Sequence, residues 1–436
     1  MLGVSSAASM SETYETDDKE LERAILVGVW VRGQSEEWEV RDTLDELAQL
    51  TAGAGAEISS QLLCKQSKVQ AGHYIGKGKA EEIARRVIEE EANLVVFDED
   101  LSPAQGRNLE AVIGVRVVDR TQLILDIFAQ RARTREGCLQ VELAQHHYLL
   151  PRLRNMWTHL ERQKGGIGMK GPGETQVEMD RRRIQELIIT LTKELNAVRS
   201  RRAEQRRGRR RHGWALASLV GYTNAGKSTL LNRMAGADIF AKDQLFATLD
   251  PTTRQVELPN REPCLITDTV GFIRKLPHNL VESFKATLEE VVEADLIIHV
   301  IDCSHPQVEQ QIDAVNVVLQ EIGAEEKPVL CVLNKIDTEE GARAAKRLAR
   351  TLGRSVAVSA ITGENMDTLL DELSDCLKGD KELMNLSIPL SEGRLLALLK
   401  NSATVLEEKY EGSNGELLVR VPLSLVPRCE PYRVKA

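Results

Sequence analysis

Nine consecutive residues, Gly221-Tyr222-Thr223-Asn224-Ala225-Gly226-Lys227-Ser228-Thr229, have the composition of a phosphate cradle. Two glycines let the backbone curl until several N–H groups face one point. A lysine adds a positive charge, and a serine adds a hydroxyl suited to a hard cation. The run lies between an apolar stretch, Ala215–Val220, and a helical pattern opening with Leu230-Leu231. That strand–loop–helix setting is the one such a loop needs. Lys227 is expected to neutralise β- and γ-phosphate oxygens, and Ser228 to ligate the Mg2+ that bridges them.

Further chemistry follows at the ends of two apolar runs. Leu265-Ile266 leads into Asp268-Thr269-Val270-Gly271. Here Asp268 is placed to hold the magnesium hydration shell, and the Gly271 amide can reach the γ-phosphate because glycine permits close approach. Lys227 and Gly271 are therefore the catalytic candidates. Val329–Leu333 delivers Asn334-Lys335-Ile336-Asp337. A carboxylate at Asp337 can accept both the N1–H and the 2-amino hydrogens of guanine. Adenine offers neither and would leave a charge unpaired, so GTP is the expected nucleotide. Asn334 would brace the loop, the Lys335 stem would cover the base, and the backbone at Ser359-Ala360 would meet guanine O6.

Between these motifs lies Phe246-Ala247-Thr248-Leu249-Asp250-Pro251-Thr252-Thr253. One of its three threonines should add a hydroxyl to Mg2+ when GTP is bound and release it with GDP. Spacing does not choose among them.

These residues need a scaffold, and the chain offers one of α/β class. Its 436 residues are enough for about three domains, and 42% hydrophobic with 28% charged residues excludes a disordered or fibrous chain. Polar residues 1–20 read as a tail. In 21–135 apolar runs (Ala24–Trp30, Asn93–Phe97, Val115–Val118) alternate with helical patterns (Thr43–Leu50, Lys79–Glu90, Pro103–Ile113), which predicts an N-terminal parallel-sheet α/β domain. Residues 136–213 predict an antiparallel helical hairpin. A helix through Leu139, Leu143 and Leu160 gives way to the glycine-rich tip Lys164–Thr175, and Ile184, Ile188, Leu191, Leu195 and Val198 form a coiled-coil seam in the return helix. Residues 214–379 form the P-loop domain. A small α+β domain, with a helix over Glu392–Glu408 and a strand over Leu417–Val421, occupies 380–436.

Charge sharpens this division. The formal net charge of −9 argues against a nucleic-acid partner, yet residues 151–213 hold 17 lysines and arginines against 7 acids. Eight of those arginines fall within 199–211, a stretch without aromatics, which favours contact with the phosphates of helical RNA over base reading. The seven cysteines form no CxxC pair, which points to a reducing compartment; Cys264, Cys303 and Cys331 read as buried apolar residues. No apolar run approaches a membrane span, and the first twenty residues fit neither a secretory signal nor an Arg-rich transit peptide. The cytoplasm is expected, with an organelle stroma as the alternative and only peripheral membrane association.

The whole chain resembles the HflX family of ribosome-associated GTPases. The likeness covers Gly221–Thr229, Phe246–Asp250, Asp268–Gly271 and Asn334–Asp337. It extends to segments that GTPases in general lack, namely Tyr74-Ile75-Gly76-Lys77-Gly78-Lys79, Leu139–Gln145 and Lys164–Gln176, while His146 departs from the family's apolar habit. The resemblance implies that Thr248 is the magnesium threonine. It also implies a monomeric factor that binds the large ribosomal subunit and its RNA through residues 164–176 and 199–211, with the glycine loop near the peptidyl-transferase region. Such a factor would split or rescue stalled ribosomes under stress.

Two residues bear on rate. Phe272 follows Gly271, where Ras-like enzymes carry a glutamine that orients the attacking water. A phenyl ring cannot do this, so hydrolysis is expected to be slow alone and faster on ribosomal subunits. Asn224 resembles the potassium-coordinating asparagine of related GTPases. Two other readings compete: an RNA-remodelling NTPase with a second nucleotide site in residues 21–135, where Gly76-Lys77-Gly78-Lys79 could touch phosphate, and a signalling GTPase with a protein partner.

Overall fold

The structure is a computed structural model, and it describes residues 22–33, 37–153, 172–211, 214–236, 246, 248–274, 288–377, 381–411, 413–422 and 425–434. The tip residues Lys164–Gly171 and the switch residue Ala247 lie outside that set. The chain forms two compact units, Met1–Leu123 and Ile124–Ala436.

In the first unit, strands β1 (Arg23–Val31), β2 (Glu57–Gln66), β3 (Leu94–Phe97) and β4 (Arg116–Asp119) form a sheet in the order β2-β1-β3-β4, parallel throughout. Helices α1 (Glu37–Ala54), α2 (Lys77–Glu89) and α3 (Pro103–Ile113) connect them. β1 and β3 are central and almost wholly buried, so both read as continuous apolar runs. α3 starts where Ser102 and Gln105 exchange a capping box ahead of Pro103, and it ends at Gly114 in the left-handed region. The Arg120 guanidinium is buried, with one nitrogen 2.6 Å from Asp98 and another 2.9 Å from Glu46.

Helix α4 (Arg120–Arg131) leads into the second unit, where α5 (Arg135–Leu153) packs on the 40-residue α6 (Pro172–Arg211). Leu191 and Leu195 are buried with Leu139 and Leu143, and Ile188 and Val198 pack beside them. The seam predicted from sequence is therefore closed from Ile188 to Val198. The sequence reading also needs a correction. Pro172, Gly173, Glu174 and Thr175 belong to the first turn of α6 and not to a loop. Proline suits the first helical position, because its fixed φ matches and its missing N–H would have no partner there.

The GTPase-like core is a six-stranded sheet in the order β10-β9-β8-β5-β7-β6. It comprises β5 (Ala215–Gly221), β6 (Thr252–Glu257), β7 (Pro263–Asp268), β8 (Leu296–Asp302), β9 (Val329–Asn334) and β10 (Ser355–Ala357). All pairings are parallel except β6 with β7. Helices α7 (Lys227–Met234), α8 (Val308–Glu321), α9 (Glu339–Leu348) and α10 (Met366–Leu377) accompany the strands. Cys264 and Cys303 are buried here, and burial pushes both thiols up to about 12, as befits apolar packing.

The C-terminal domain is an antiparallel sheet, β11-β13-β12, built from β11 (Lys381–Pro389), β12 (Thr404–Glu411) and β13 (Asn414–Pro422). Its helix α11 (Gly393–Ser402) stops well short of the expected Glu408. Ala403 is already extended, and Thr404–Glu411 pairs with β13 as a hairpin. No helix among the described residues is long and apolar enough to cross a membrane.

Candidate active site

Parallel strands place their C-terminal ends on one edge, and a ligand site of an open α/β sheet forms there. Gly221 ends β5, Asp268 ends β7, Asn334 ends β9, and Ser359-Ala360 follow β10. The P-loop is shaped by two tight approaches. A Cβ on Gly221 would come within 2.2 Å of the Val300 carbonyl oxygen, and one on Gly226, at φ +92°, within 2.4 Å of Asn334 Nδ2. Both positions admit only glycine.

Lys227 opens α7 and is buried. Its Nζ donates to the carbonyls of Tyr222 at 2.8 Å and Gly221 at 3.1 Å. Burial lowers its pKa to about 8, and the Asp268 carboxylate opposes that shift. Ser228 Oγ donates to Asp268 Oδ2 at 2.6 Å and lies 2.8 Å from Thr248 Oγ1, which donates to the same carboxylate oxygen at 3.0 Å. Three hard oxygens thus meet at one point. Asp268 Oδ1 and Thr223 Oγ1 are buried with no hydrogen-bond partner among the described residues. Burial holds the Asp268 carboxyl above its usual range. A compact set of hydroxyls and carboxylate with unspent acceptor capacity is the donor chemistry Mg2+ takes.

Gly271 lies against this cluster. A Cβ there would meet Thr223 Cα at 2.9 Å and Lys227 Nζ at 3.0 Å. Thr269 Oγ1 ties the segment to the Leu219 carbonyl at 2.6 Å, and Val270 is buried. Phe272 is part of the core, with Val220, Leu288, Val291 and Ile297. Its backbone accepts from Thr223 N–H at 2.7 Å, so the segment after β7 is stitched to the P-loop while the ring packs in that core. Tyr222 and Ala225 are buried, and the Tyr222 hydroxyl accepts from Arg274 N–H at 2.9 Å. Asn224 is exposed at φ 61°, and Thr229 is half-buried in α7.

On the base side, Asn334 Nδ2 donates to the Ala225 carbonyl at 2.8 Å, and its Oδ1 accepts from Ala360 N–H at 3.0 Å. One buried side chain therefore joins the phosphate loop to the loop after β10. Asp337 is exposed, and its Oδ1 accepts from the Ser359 hydroxyl at 2.7 Å. Lys335, at φ 66°, reaches Asp302 Oδ2 at 2.6 Å, and Asp302 Oδ1 accepts from Ser304 N–H and Oγ. Ile336 packs against the cluster of Ile301, Leu333 and Ala345. Asp302 was missed from sequence, although it ends the apolar run Leu296–Ile301 as Asp268 ends its own. His299 lies on the same strand, and burial, reinforced by the nearby Lys227 charge, lowers its pKa to about 4, so it stays neutral at pH 7.

The switch residues divide. Thr248 joins the oxygen cluster, and Leu249 is buried. Phe246 and Asp250 turn their side chains elsewhere: Phe246 packs its ring on Phe128, and Asp250 binds the residues that open α5. Away from the site, Lys79 of the Gly76–Lys79 segment is occupied by Glu82 at 2.8 Å, and Gly76 is the N-cap of α2. That arrangement favours a simple helix start over a second phosphate site.

A glycine-shaped loop after β5, an aspartate at the end of β7 beside it and the Asn334–Asp337 segment leaving β9 have the arrangement of a P-loop GTPase. Residues 217–335 match the family described as 50S ribosome-binding GTPase, while 41–129 and 131–209 match the N-terminal and middle regions of the GTP-binding GTPases. The protein GTPase HflX of Caldanaerobacter subterraneus is 45% identical over 414 residues, spanning 95% of this chain and 94% of that one. GTPase HflX of Escherichia coli is 45% identical over 404 residues, spanning 92% and 94%. A crystal structure of a GTP-binding protein from Sulfolobus solfataricus in complex with GDP is 25% identical, covers 82% of this chain and 98% of that one, and gives a TM-score of 0.44. The chain belongs to the HflX family of GTPases, and it hydrolyses GTP to GDP and phosphate.

Proposed function

We propose that this GTPase is a factor that binds the large ribosomal subunit and uses GTP as a timer in splitting or rescuing stalled ribosomes. The observation that carries the reading is the basic helical arm fused to the GTPase core. α6 runs 40 residues and continues through the arginine-rich 199–211 stretch, so those arginines ride on a helix instead of a loose linker. The planar fork of arginine suits the phosphates of folded RNA, and the match of residues 217–335 to a 50S ribosome-binding family supports the same partner. Residues 164–176 would also contact ribosomal RNA, with the protein acting as a monomer in the cytoplasm.

At the nucleotide, Ser228 and Thr248 are the proposed ligands of Mg2+, with Asp268 steadying its water shell. The bound ion would supply charge neutralisation between the β- and γ-phosphate oxygens. Gly221–Thr229 would hold the phosphates by backbone amides and Lys227. The Gly271 amide would sense the γ-phosphate, and Asn334, Lys335 and Asp337, with Ser359-Ala360, would read guanine. Because Phe272 is built into the core, it cannot orient the attacking water, and ribosomal subunits are the proposed source of the missing group.

Co-sedimentation with whole ribosomes and with separate subunits, using a non-hydrolysable GTP analogue, tests the partner. The protein should travel with the large subunit, and binding should fall steeply as salt rises, because phosphate contacts release counterions. A protein that stays at the top of every gradient would refute the reading. Asn224, exposed and left-handed on the P-loop, is the proposed ligand of a K+ ion that supplies positive charge at the phosphates. Turnover should then be faster in KCl than in NaCl at equal ionic strength, and equal rates would remove K+ from the account.

A further inference from the structure

The switch segment is anchored at two points, on α4 and at the start of α5. At one end Phe246, 2% exposed and at φ 53°, sets its ring edge-on to Phe128 with centroids 4.7 Å apart. At the other end Asp250 Oδ2 accepts from the backbone N–H groups of Arg133 and Thr134, each at 2.9 Å. The Thr134 hydroxyl donates to Asp250 Oδ1 and accepts from the Gly137 N–H at 3.0 Å, so it caps α5 and holds the switch together. Gly137 leaves the space for this contact, since a Cβ there would sit 2.3 Å from Asp250 Oδ1. Between the two anchors Thr248 reaches Ser228 and Asp268. α5 then runs on to pack against α6 through Leu139 and Leu143.

We infer that Thr134 and Gly137, which lie outside the GTPase core, are positioning residues for GTP: they dock Asp250 at the start of α5 and thereby hold Thr248 at the metal site. The inference rests on the reading of Thr248 as the magnesium threonine. Its physics is ordinary. A carboxylate at a helix N-terminus is stabilised by the unpaired amides and the helix dipole. Thr248 is two residues from each anchor, which limits how far its hydroxyl can stray from the metal site. Linkage makes the effect reciprocal. If the docked arm favours the conformation that binds Mg·GTP, then Mg·GTP favours the docked arm by the same factor, and GDP, which Thr248 does not contact through the metal, does so much less.

The test uses the full chain. Gly137→Ala should expel the Asp250 carboxylate, yet alanine is the better helix former at that position, so α5 itself should persist. Affinities for a non-hydrolysable GTP analogue and for GDP are measured by fluorescent-nucleotide titration. The ratio of the two should fall about tenfold, within the usual span of coupling between sites, with GDP affinity unchanged. Thr134→Val should lower the ratio in the same way, and Thr134→Ser, which keeps the hydroxyl, should restore it. In the parent chain, amide exchange at Thr134–Cys138 should be slower with the GTP analogue than with GDP, and this difference should vanish in Gly137→Ala. Thr248→Ala is the control for the underlying reading. If it leaves the ratio intact, Thr248 is not the metal threonine. If it lowers the ratio while Gly137→Ala and Thr134→Val do not, the positioning role is overturned.

Discussion

Replacing Asp337 with asparagine should turn the protein from GTP to xanthosine triphosphate. The Ser359 hydroxyl donates to Asp337 Oδ1 at 2.7 Å and so orients the carboxylate. An ionised carboxylate accepts from both N1–H and the 2-amino group of guanine, and each hydrogen bond to a charged group is worth about 1.5–3 kcal/mol. Asparagine keeps the acceptor for N1–H but turns an N–H towards the 2-amino group, so one bond becomes a clash of donors. In xanthine that position is a carbonyl, and the amide donates to it. GTP affinity should fall about a hundredfold or more, with a matching gain for xanthosine triphosphate. Competition titrations with both nucleotides measure this. An Asp337→Asn protein that still prefers GTP would show that guanine is read elsewhere.

The second large effect concerns Lys227. Its ammonium is buried beside Asp268 and bonded to two P-loop carbonyls, so the charge is placed where phosphate oxygens would gather. In a water-poor pocket such a charge counts for several kcal/mol, because no solvent screens it. Lys227→Ala should reduce kcat/KM for GTP at least about a thousandfold, a loss of about 4 kcal/mol. The variant should keep its fold, since the strand ends are tied by Asn334 and by the Thr223–Phe272 backbone bond, neither of which involves Lys227. Turnover of ATP that survives the substitution would point to a second nucleotide site in residues 21–135. Paired Lys79 and the capping role of Gly76 argue that none will be found.

The site was more legible in the sequence than the parts that control it. Phosphate and guanine recognition demand particular residue types at strand ends, so Gly221–Ser228, Asp268–Gly271 and Asn334–Asp337 announce themselves within a few residues. The central strands β1 and β3 were visible for a related reason, since burial on both faces leaves an unbroken apolar run. β2 was not. It is an edge strand with only Leu62 and Cys64 buried, and Glu-Ile-Ser-Ser-Gln-Leu-Leu-Cys-Lys-Gln carries no clear period. β12 was mistaken for the end of a helix because Val405, Leu406 and Glu407-Glu408 suit either state locally, and pairing with β13 decides between them. The pairs Asp250–Thr134 and Asp302–Lys335 were hidden because their members lie 116 residues apart in one case and in different motifs in the other. Long-range pairs leave no mark on local spacing. The Phe272 ring shows the opposite limit: its identity was informative from sequence alone, and the structure adds only the core it packs in.

The central claim is that this GTPase is completed by the large ribosomal subunit. The most direct measurement is GTP turnover by the purified full chain, alone and with increasing amounts of isolated large or small subunits. The account predicts a slow rate for the protein alone, since no residue of the described switch segments replaces the water-orienting glutamine. It predicts saturable acceleration by large subunits, at least about tenfold, that weakens as salt is raised. A turnover rate that large subunits leave unchanged would contradict it.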